Sequence, residues 1–518
     1  MDDNVIFDNS DPNNPQKRSN PPQGVESDAA VSSASTSSDY QPISSMPLES
    51  EGGVSALPVS EGTTDVQSGE VDAVVEETEQ SVPLPPRGGI IKKLIIGLII
   101  LLVLIFIFFL IIPKGKSNKK VKLVWWGLWE DARVMQPLIS EFQKENPNIT
   151  IEYTKQNPKQ YREKLLARIN NGTGPDVFRF HNSWVSMMSD SLLPLPTDVI
   201  TPNELKTDFY PVIQKDMTKN GAIYGIPLGV DTLGLFINTE LLKSAGVAPP
   251  QTWDAFVKAA SSMTVKDPET KKILTAGAAL GTYGNITHVS DLLSLLFIQQ
   301  GIDMSKFPSA NVGKKVAVLN FYRSFSEGDS SVWDNTLDES ILSFSSGNLA
   351  MYIGFSWDIF RIKALNPELD FKTYPVPQLV GRKSTLASYW SEGISSNSKN
   401  QDAALLFIKY LKKKETAQKF YAEVAKTREF GEPYARSELA KTLKDNEMIF
   451  PFVSQLQNAS SSYFASDTND GEGGINSISN NYLGNAINAM INDNSSAETV
   501  VEALNQGISQ AYEKYGVQ

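Results

Sequence analysis

Cysteine is absent from all 518 residues. That absence removes disulfides, thiolate metal sites, a cysteine nucleophile and a lipid-modified cysteine anchor from consideration. Histidine is nearly absent too: His181 and His288 are the two present, too few for a multi-histidine zinc site. Basic charge is scarce in residues 1–86, where 16 Asp and Glu face only Lys17 and Arg18. Residues 121–518 lack a basic stripe, their 38 Lys and Arg being outnumbered by 43 Asp and Glu. Nucleic-acid binding needs a positive surface that offsets phosphate charge, so nucleic acid is not an expected partner. Long hydrophobic runs are missing with one exception, Leu94 to Ile112, 19 residues without a charge.

At roughly 100 to 200 residues per domain, the length allows two or three compact units plus non-globular material. Residues 1–86 are rich in Ser, Pro, Asp, Glu and Gly and carry no apolar periodicity, so they read as a disordered acidic tail. The uncharged run matches the ~20 residues that cross a bilayer as a helix. It follows a tail of more than 80 residues and Pro113 ends it, which fits a retained transmembrane helix (90–112) better than a cleaved signal peptide. Residues 113–120 then form a linker.

Beyond the linker, strand and helix patterns alternate. Val121-Lys-Leu-Val-Trp-Trp126 reads as a strand, followed by a helix capped by Asp131 with an apolar stripe at Val134, Leu138, Ile139 and Phe142. Ile149, Ile151 and Tyr153 alternate as a second strand, and Tyr161, Leu165 and Ile169 mark the next helix. Gly172-Thr-Gly-Pro175 is a turn signal before a strand at Asp176-Val-Phe178. Ala222 to Leu228 and Gly234 to Ile237 read as strands around an acidic turn at Asp231, and Thr252 is a helix cap. The C-terminal third is helical at Ala403–Lys412, Thr416–Ala425, Ala486–Ile491 and Glu498–Tyr512. This alternation implies parallel βαβ units whose ligands bind beyond the carboxyl ends of strands, which directs attention to the loops after Trp126 and Phe178.

Four stretches carry a family likeness: Val124-Trp-Trp-Gly-Leu-Trp-Glu130 through Pro147; Gly172-Thr-Gly-Pro-Asp-Val-Phe178; Asn220-Gly-Ala-Ile-Tyr-Gly-Ile-Pro227 with Asp231 and Pro250-Gln-Thr-Trp253; and Phe344-Ser-Ser-Gly-Asn-Leu-Ala-Met351 with Trp357. Each is short, but their order across nearly 400 residues resembles the bacterial extracellular solute-binding proteins of family 1, the maltose-binding-protein-like components of ABC sugar transporters. The resemblance implies an α/β, two-lobed periplasmic-binding-protein-like (type II) domain with discontinuous lobes, here preceded by the transmembrane helix and the disordered tail. Lobe one would comprise about 121–230 and 390–435, and lobe two about 232–388 and 436–518. It also implies capture of a sugar or oligosaccharide in the interlobe cleft, delivery to ABC permease subunits, and no catalytic residue, cofactor or metal.

Sugars offer hydroxyl edges and C–H faces, so a sugar cleft needs planar aromatics together with carboxylates or amides. Trp129 and Glu130 lie in the loop after the first strand. Phe180, His181 and Asn182 follow the Pro-Asp-Val-Phe strand, where the family places ligand contacts. Asp231 falls where the family has a ligand-contacting acid, with a hinge turn as its other reading. Trp357 matches the family's stacking tryptophan. Tyr283 and Asn285 sit in a Gly-rich loop before a helix beginning near Ser290, and Trp390 follows a hinge strand. Trp125 and Trp126 are expected in the core, and Asp176 to fix its turn. Asp467-Thr-Asn-Asp-Gly-Glu-Gly-Gly474 lacks the EF-hand spacing and reads as a surface loop near the cleft mouth.

The rival class is a cell-surface glycan hydrolase with paired carboxylates, for which no constellation stands out. Gly354-Phe-Ser-Trp-Asp358 also lacks the second glycine of a serine-hydrolase elbow. Orientation in the membrane is opposed by the flanking charges, with Arg87, Lys92 and Lys93 before the helix and Lys114, Lys116, Lys119, Lys120 and Lys122 after it. The resemblance to exported proteins, and the ability of long domains to cross regardless of nearby charge, place the tail in the cytoplasm and residues 121–518 outside.

Overall fold

The structure is a computed structural model that describes residues 97–102 and 119–517. Residues 97–102 are helical, and the rest of the Leu94–Ile112 segment lies outside the described residues, as do the tail and most of the 113–120 linker. Among the described residues, no helix is long and apolar enough to cross a membrane.

From Val121 onward the chain builds two α/β halves, each around its own sheet. The first sheet has the order Ile149–Lys155, Val121–Gly127, Val177–His181, Trp390–Ile394 and Ile226–Pro227. Its first three strands are parallel, as the βαβ pattern requires, and Trp390–Ile394 enters antiparallel. The second sheet runs Ala459–Ser460, Thr385–Ser388, Asp231–Asn238, Leu349–Phe355, Ile273–Ala278 and Val265–Lys266, with Phe371–Pro375 also paired to Asp231–Asn238. The chain passes from one sheet to the other at 228–230 and returns through Tyr389 alone, because Ser388 pairs with Asp231 while Trp390 pairs with His181. A third segment runs alongside: Val230 N donates to the Pro433 carbonyl at 2.9 Å, and Gly229 bridges Tyr434.

Local chemistry explains the elements. The helix Ala132–Glu145 buries Val134, Leu138, Ile139 and Phe142 on one stripe, with Asp131 at its N-cap position but making no side-chain cap bond. The hydroxyl of Thr252 accepts from Ala255 N and starts the helix Trp253–Met263. Gly172 takes φ +67, a backbone conformation that suits glycine, to turn the chain into the Val177–His181 strand. Trp125 is fully buried, its ring edge-on to Phe407 at 5.0 Å, whereas Trp126 faces the opposite way under the Lys164 ammonium.

Several boundaries differ from the sequence reading. Ala222–Leu228 is not one strand: Ala222–Ile223 turns back on Thr218–Lys219 through Asn220-Gly221, both at positive φ, and only Ile226–Pro227 joins the sheet. Asp231 is not in a turn but opens the strand Asp231–Asn238. The helix at the C-terminal end is much longer than Ala486–Ile491, running Ile475–Asn492 and packing on Ala497–Tyr515.

Asp176, expected to fix its own turn, instead ties the turn's exit to the first strand and to the 398–400 loop. One carboxylate oxygen accepts from Val124 N at 2.9 Å, and the other from the Ser398 hydroxyl and the Asn400 amide. Asp176→Ala leaves these donors without partners and is expected to lower stability by about 1–3 kcal/mol in urea unfolding; a change within error would contradict this role.

Candidate functional site

A cleft of about 780 Å³ lies between the two halves, at the carboxyl ends of the first sheet's parallel strands. That volume is in the range that encloses small ligands. Of the ten residues singled out from sequence, seven line it: Trp129, Glu130, His181, Asp231, Tyr283, Trp357 and Trp390. Three are placed elsewhere. Phe180 is fully buried, because side chains alternate along a strand and the face that presents Arg179 and His181 to the cleft sends Phe180 into the core against Phe178. Asn182 lines a separate cavity of about 310 Å³, where it donates to Asp216 and accepts from Tyr389 N. Asn285 spends its amide on the Asp334 and Leu337 carbonyls and so ties down its own loop.

The wall of the first half is aromatic. The Trp129 ring is 42% exposed and meets Trp390 edge-on at 5.7 Å, and Trp390 in turn contacts His181 and Trp184 at 5.1 and 5.3 Å. Behind it sits Arg179, which the sequence reading missed. Its guanidinium pairs with Glu130 and, at 2.7 Å, with Glu392, whose other oxygen accepts from Trp125 Nε1 at 2.8 Å. Burial opposes its charge, but the two carboxylates overcome that and hold it firmly protonated. A lone arginine in the apolar strand Val177–His181, two residues from His181, was the available signal.

The wall of the second half carries Trp357, 36% exposed and stacked on Phe355 at 4.3 Å. His288 lies 6.0 Å from the Trp357 ring, between Asp358 at 3.1 Å and Asp467 at 3.3 Å. Burial alone would lower its pKa, yet the two carboxylates raise it well above the ordinary value. Arg361, one helical turn beyond Trp357, faces Glu339 at 3.6 Å. Near the crossing segments, Arg428 pairs with Glu432. The Tyr283 hydroxyl donates to the Asn480 carbonyl at 2.8 Å. The loop holding Asp467 reaches the cleft through Ser466, Asp467 and Asn469.

His181 and Asp231 are neutral-leaning groups. Burial pushes His181 down to about 3, and its ring nitrogens lie 2.7 Å from the Ser183 hydroxyl and 3.0 Å from that of Ser388. Burial pushes Asp231 up to about 7, only partly offset by the Ser356 hydroxyl and backbone N–H on one oxygen and Thr232 N on the other. Among the described residues there is no group of three or more His, Cys, Asp or Glu that could hold a metal ion.

Two histidines make the electrostatics directly readable. In an NMR titration between about pH 5 and pH 8, His181 should stay neutral and His288 stay protonated over most of the range; a His181 midpoint near the ordinary value would refute the burial argument. Folded Asp231 keeps its proton up to about pH 7, whereas the unfolded chain releases it near 3.8. Its contribution to stability is therefore complete below about pH 4 and declines as pH rises through 7. Asp231→Asn should flatten that part of the stability profile, measured by urea unfolding at stepped pH.

Comparison with known proteins agrees with this architecture. Residues 126–418 match the model of the bacterial extracellular solute-binding protein family. The chain is similar to the multiple sugar-binding protein of Streptococcus mutans, 24% identical over 299 residues, covering 55% of this chain and 70% of that one. It is similar also to a probable amino-acid ABC transporter periplasmic-binding protein of Sinorhizobium fredii, 25% identical over 320 residues, covering 58% and 70%. Among solved structures, the cyclic alpha-maltosyl-1,6-maltose binding protein of Arthrobacter globiformis superposes with TM-score 0.62 at 18% identity, covering 76% of this chain and 99% of that one, which shows the shared two-lobed fold. The matched span takes in most of both sheets and most of the cleft, and the chain belongs to the bacterial extracellular solute-binding protein family.

Proposed function

We propose that residues 121–518 capture a carbohydrate in the interlobe cleft and present it to an ABC-type importer. The observation that carries this reading is the pair of solvent-facing tryptophans on opposite walls, Trp129 from the first half and Trp357 from the second. Planar rings of this kind suit the C–H faces of a pyranose, and the polar groups between them suit its hydroxyl edge. Sugar binding by the Streptococcus mutans relative supports the same class.

In this reading lobe one comprises 121–230 and 390–435 and lobe two 232–388 and 436–518, and the crossings at 228–230, Tyr389 and Pro433 act as the hinge. An open form takes up the solute, and a ligand that touches both lobes favours the closed form. Trp357 stacks on a sugar ring, while Asp231, His181 and Glu130 border the hydroxyls. Leu94–Ile112 anchors the chain in the membrane with residues 1–86 in the cytoplasm and 121–518 outside; its uncharged length and the lack of cysteine support the anchoring, and membership of an extracellular-protein family supports the orientation.

Titration of the full chain with malto-, manno- and fructo-oligosaccharides should change tryptophan fluorescence. Trp357→Ala should weaken binding by about tenfold or more, as loss of a central aromatic contact commonly does. No response to any sugar, or an unchanged affinity in the variant, would sink the reading. Analysing the same mixtures for cleavage products separates a binder from a glycan hydrolase. On intact cells, protease should digest residues 121–518 and spare the tail; the reverse pattern would overturn the orientation.

A further inference from the structure

We infer that the cleft selects by charge, admitting neutral and amino-bearing saccharides and rejecting acidic ones, and that Glu339 is a specificity-determining residue through its hold on Arg361. The inference rests on the carbohydrate reading above and adds the chemical class of the sugar.

An acidic sugar, whether a uronic acid or a phosphorylated one, brings an anion that is bound most strongly where a cation is not already paired. Among the described residues lining the cleft, four side chains carry positive charge and each is already matched, while burial holds a fifth basic group, His181, neutral. Arg179 is shared between Glu130 and Glu392, both of them buried with it, so a ligand carboxylate could take its place there only by leaving one of these acids unpaired. His288 is held on one side by the equally buried Asp358, which is further fixed by the Tyr352 hydroxyl at 2.9 Å and Phe355 N at 3.0 Å, and on the other by the exposed Asp467 at 3.3 Å. Arg428 is committed to Glu432.

Arg361 is the fourth, and its pairing is the loosest: 3.6 Å from Glu339, with both side chains more than two-fifths exposed. Glu339 is itself oriented by the Thr287 hydroxyl at 2.8 Å, on the cleft wall. Because two of the four cations are each matched by two acids, negative groups outnumber positive ones around the ligand space. Like-charge juxtaposition in such a partly desolvated cleft is unfavourable, so an anionic sugar meets repulsion where a neutral one meets hydrogen-bond acceptors. An ammonium group on the sugar meets the same acceptors with favourable charge. The selectivity is therefore made by pairing the cleft's own cations, and Arg361, itself exposed and paired to the exposed Glu339, is the one that a single substitution probes.

The test uses the full chain at low salt with three neutral probes, maltotriose, mannotriose and raffinose, each beside its C6-carboxylate and 6-amino-6-deoxy derivatives. For whichever neutral probe binds, the carboxylate should bind at least about 30-fold more weakly and the amine at least as well. Glu339→Gln should raise carboxylate affinity and narrow that gap to under about tenfold, leaving the neutral probe within about threefold. Far-UV circular dichroism and the neutral-probe affinity report whether the variant is folded. A carboxylate that binds the wild type as tightly as its neutral parent overturns the inference while leaving the carbohydrate reading intact, and so does a gap unchanged in a folded Glu339→Gln. If no probe of any charge binds, the carbohydrate reading falls and the inference falls with it.

Discussion

Arg179 is a guanidinium with almost no contact with water, and much of the first half is arranged around keeping it charged. An isolated buried cation costs several kcal/mol, so its carboxylate partners cannot be moved independently of it. Glu392 comes from the strand reached immediately after the crossing at Tyr389, and Glu130 from the loop that carries Trp129. One cation thus fixes the return strand, the first cleft loop and the central strand in a single geometry. The Tyr161 hydroxyl on the Arg179 carbonyl and the Tyr153 hydroxyl on the Glu130 carbonyl, both at 2.7 Å, secure the backbone at two of these points. The Trp129 and Trp390 rings stand on this frame, so the aromatic wall is set before any ligand arrives. Such a pairing adds little net stability compared with an apolar core; its consequence is positional.

The second half repeats the solution with different residues. His288 has φ +58 and precedes the helix Val289–Gln299, an unusual backbone state for a residue other than glycine, and its ring is clamped by two acids from distant segments. Asp358 directly follows Trp357, so the clamp that holds the imidazolium also holds the exposed tryptophan. Asp231 links this wall to the crossing strand by accepting from Ser356, the residue before Trp357. Each wall of the cleft is therefore an exposed aromatic carried on a buried ion cluster, and one of them is connected directly to a segment that passes between the sheets.

The contrast between motif and geometry is clearest along Val177–His181. The motif pointed to the residues at the end of that strand, and the cleft does open there, but adjacency in sequence does not mean a shared face. Period-two alternation put His181 in the cleft and Phe180 in the core, and brought in Arg179, which had no motif to announce it. Asn285 was misplaced for a related reason: a polar residue in a loop reads equally well as a ligand contact or as the loop's own hydrogen-bonding support, and here backbone carbonyls of 334 and 337 claim it.

By itself the sequence determined what depends on neighbours within a few residues. The amphipathic stripe of Ala132–Glu145, the Thr252 cap, the alternation that buries Trp125 and the order of βαβ units all follow from local chemistry that any copy of those segments would carry. Ordered family motifs extended that reading to the two-lobed fold. Tertiary structure alone decided which charges are spent on one another. Arg179 and Glu392 are 213 residues apart and His288 and Asp358 are 70 apart, and nothing at either position names the other. With a fifth of the chain charged, the possible pairs are far too many for spacing to choose among. Only the packing of the strands sets which carboxylates a buried cation can reach, because Coulomb attraction is strong enough to decide a geometry only over a few ångströms in a place from which water has been removed.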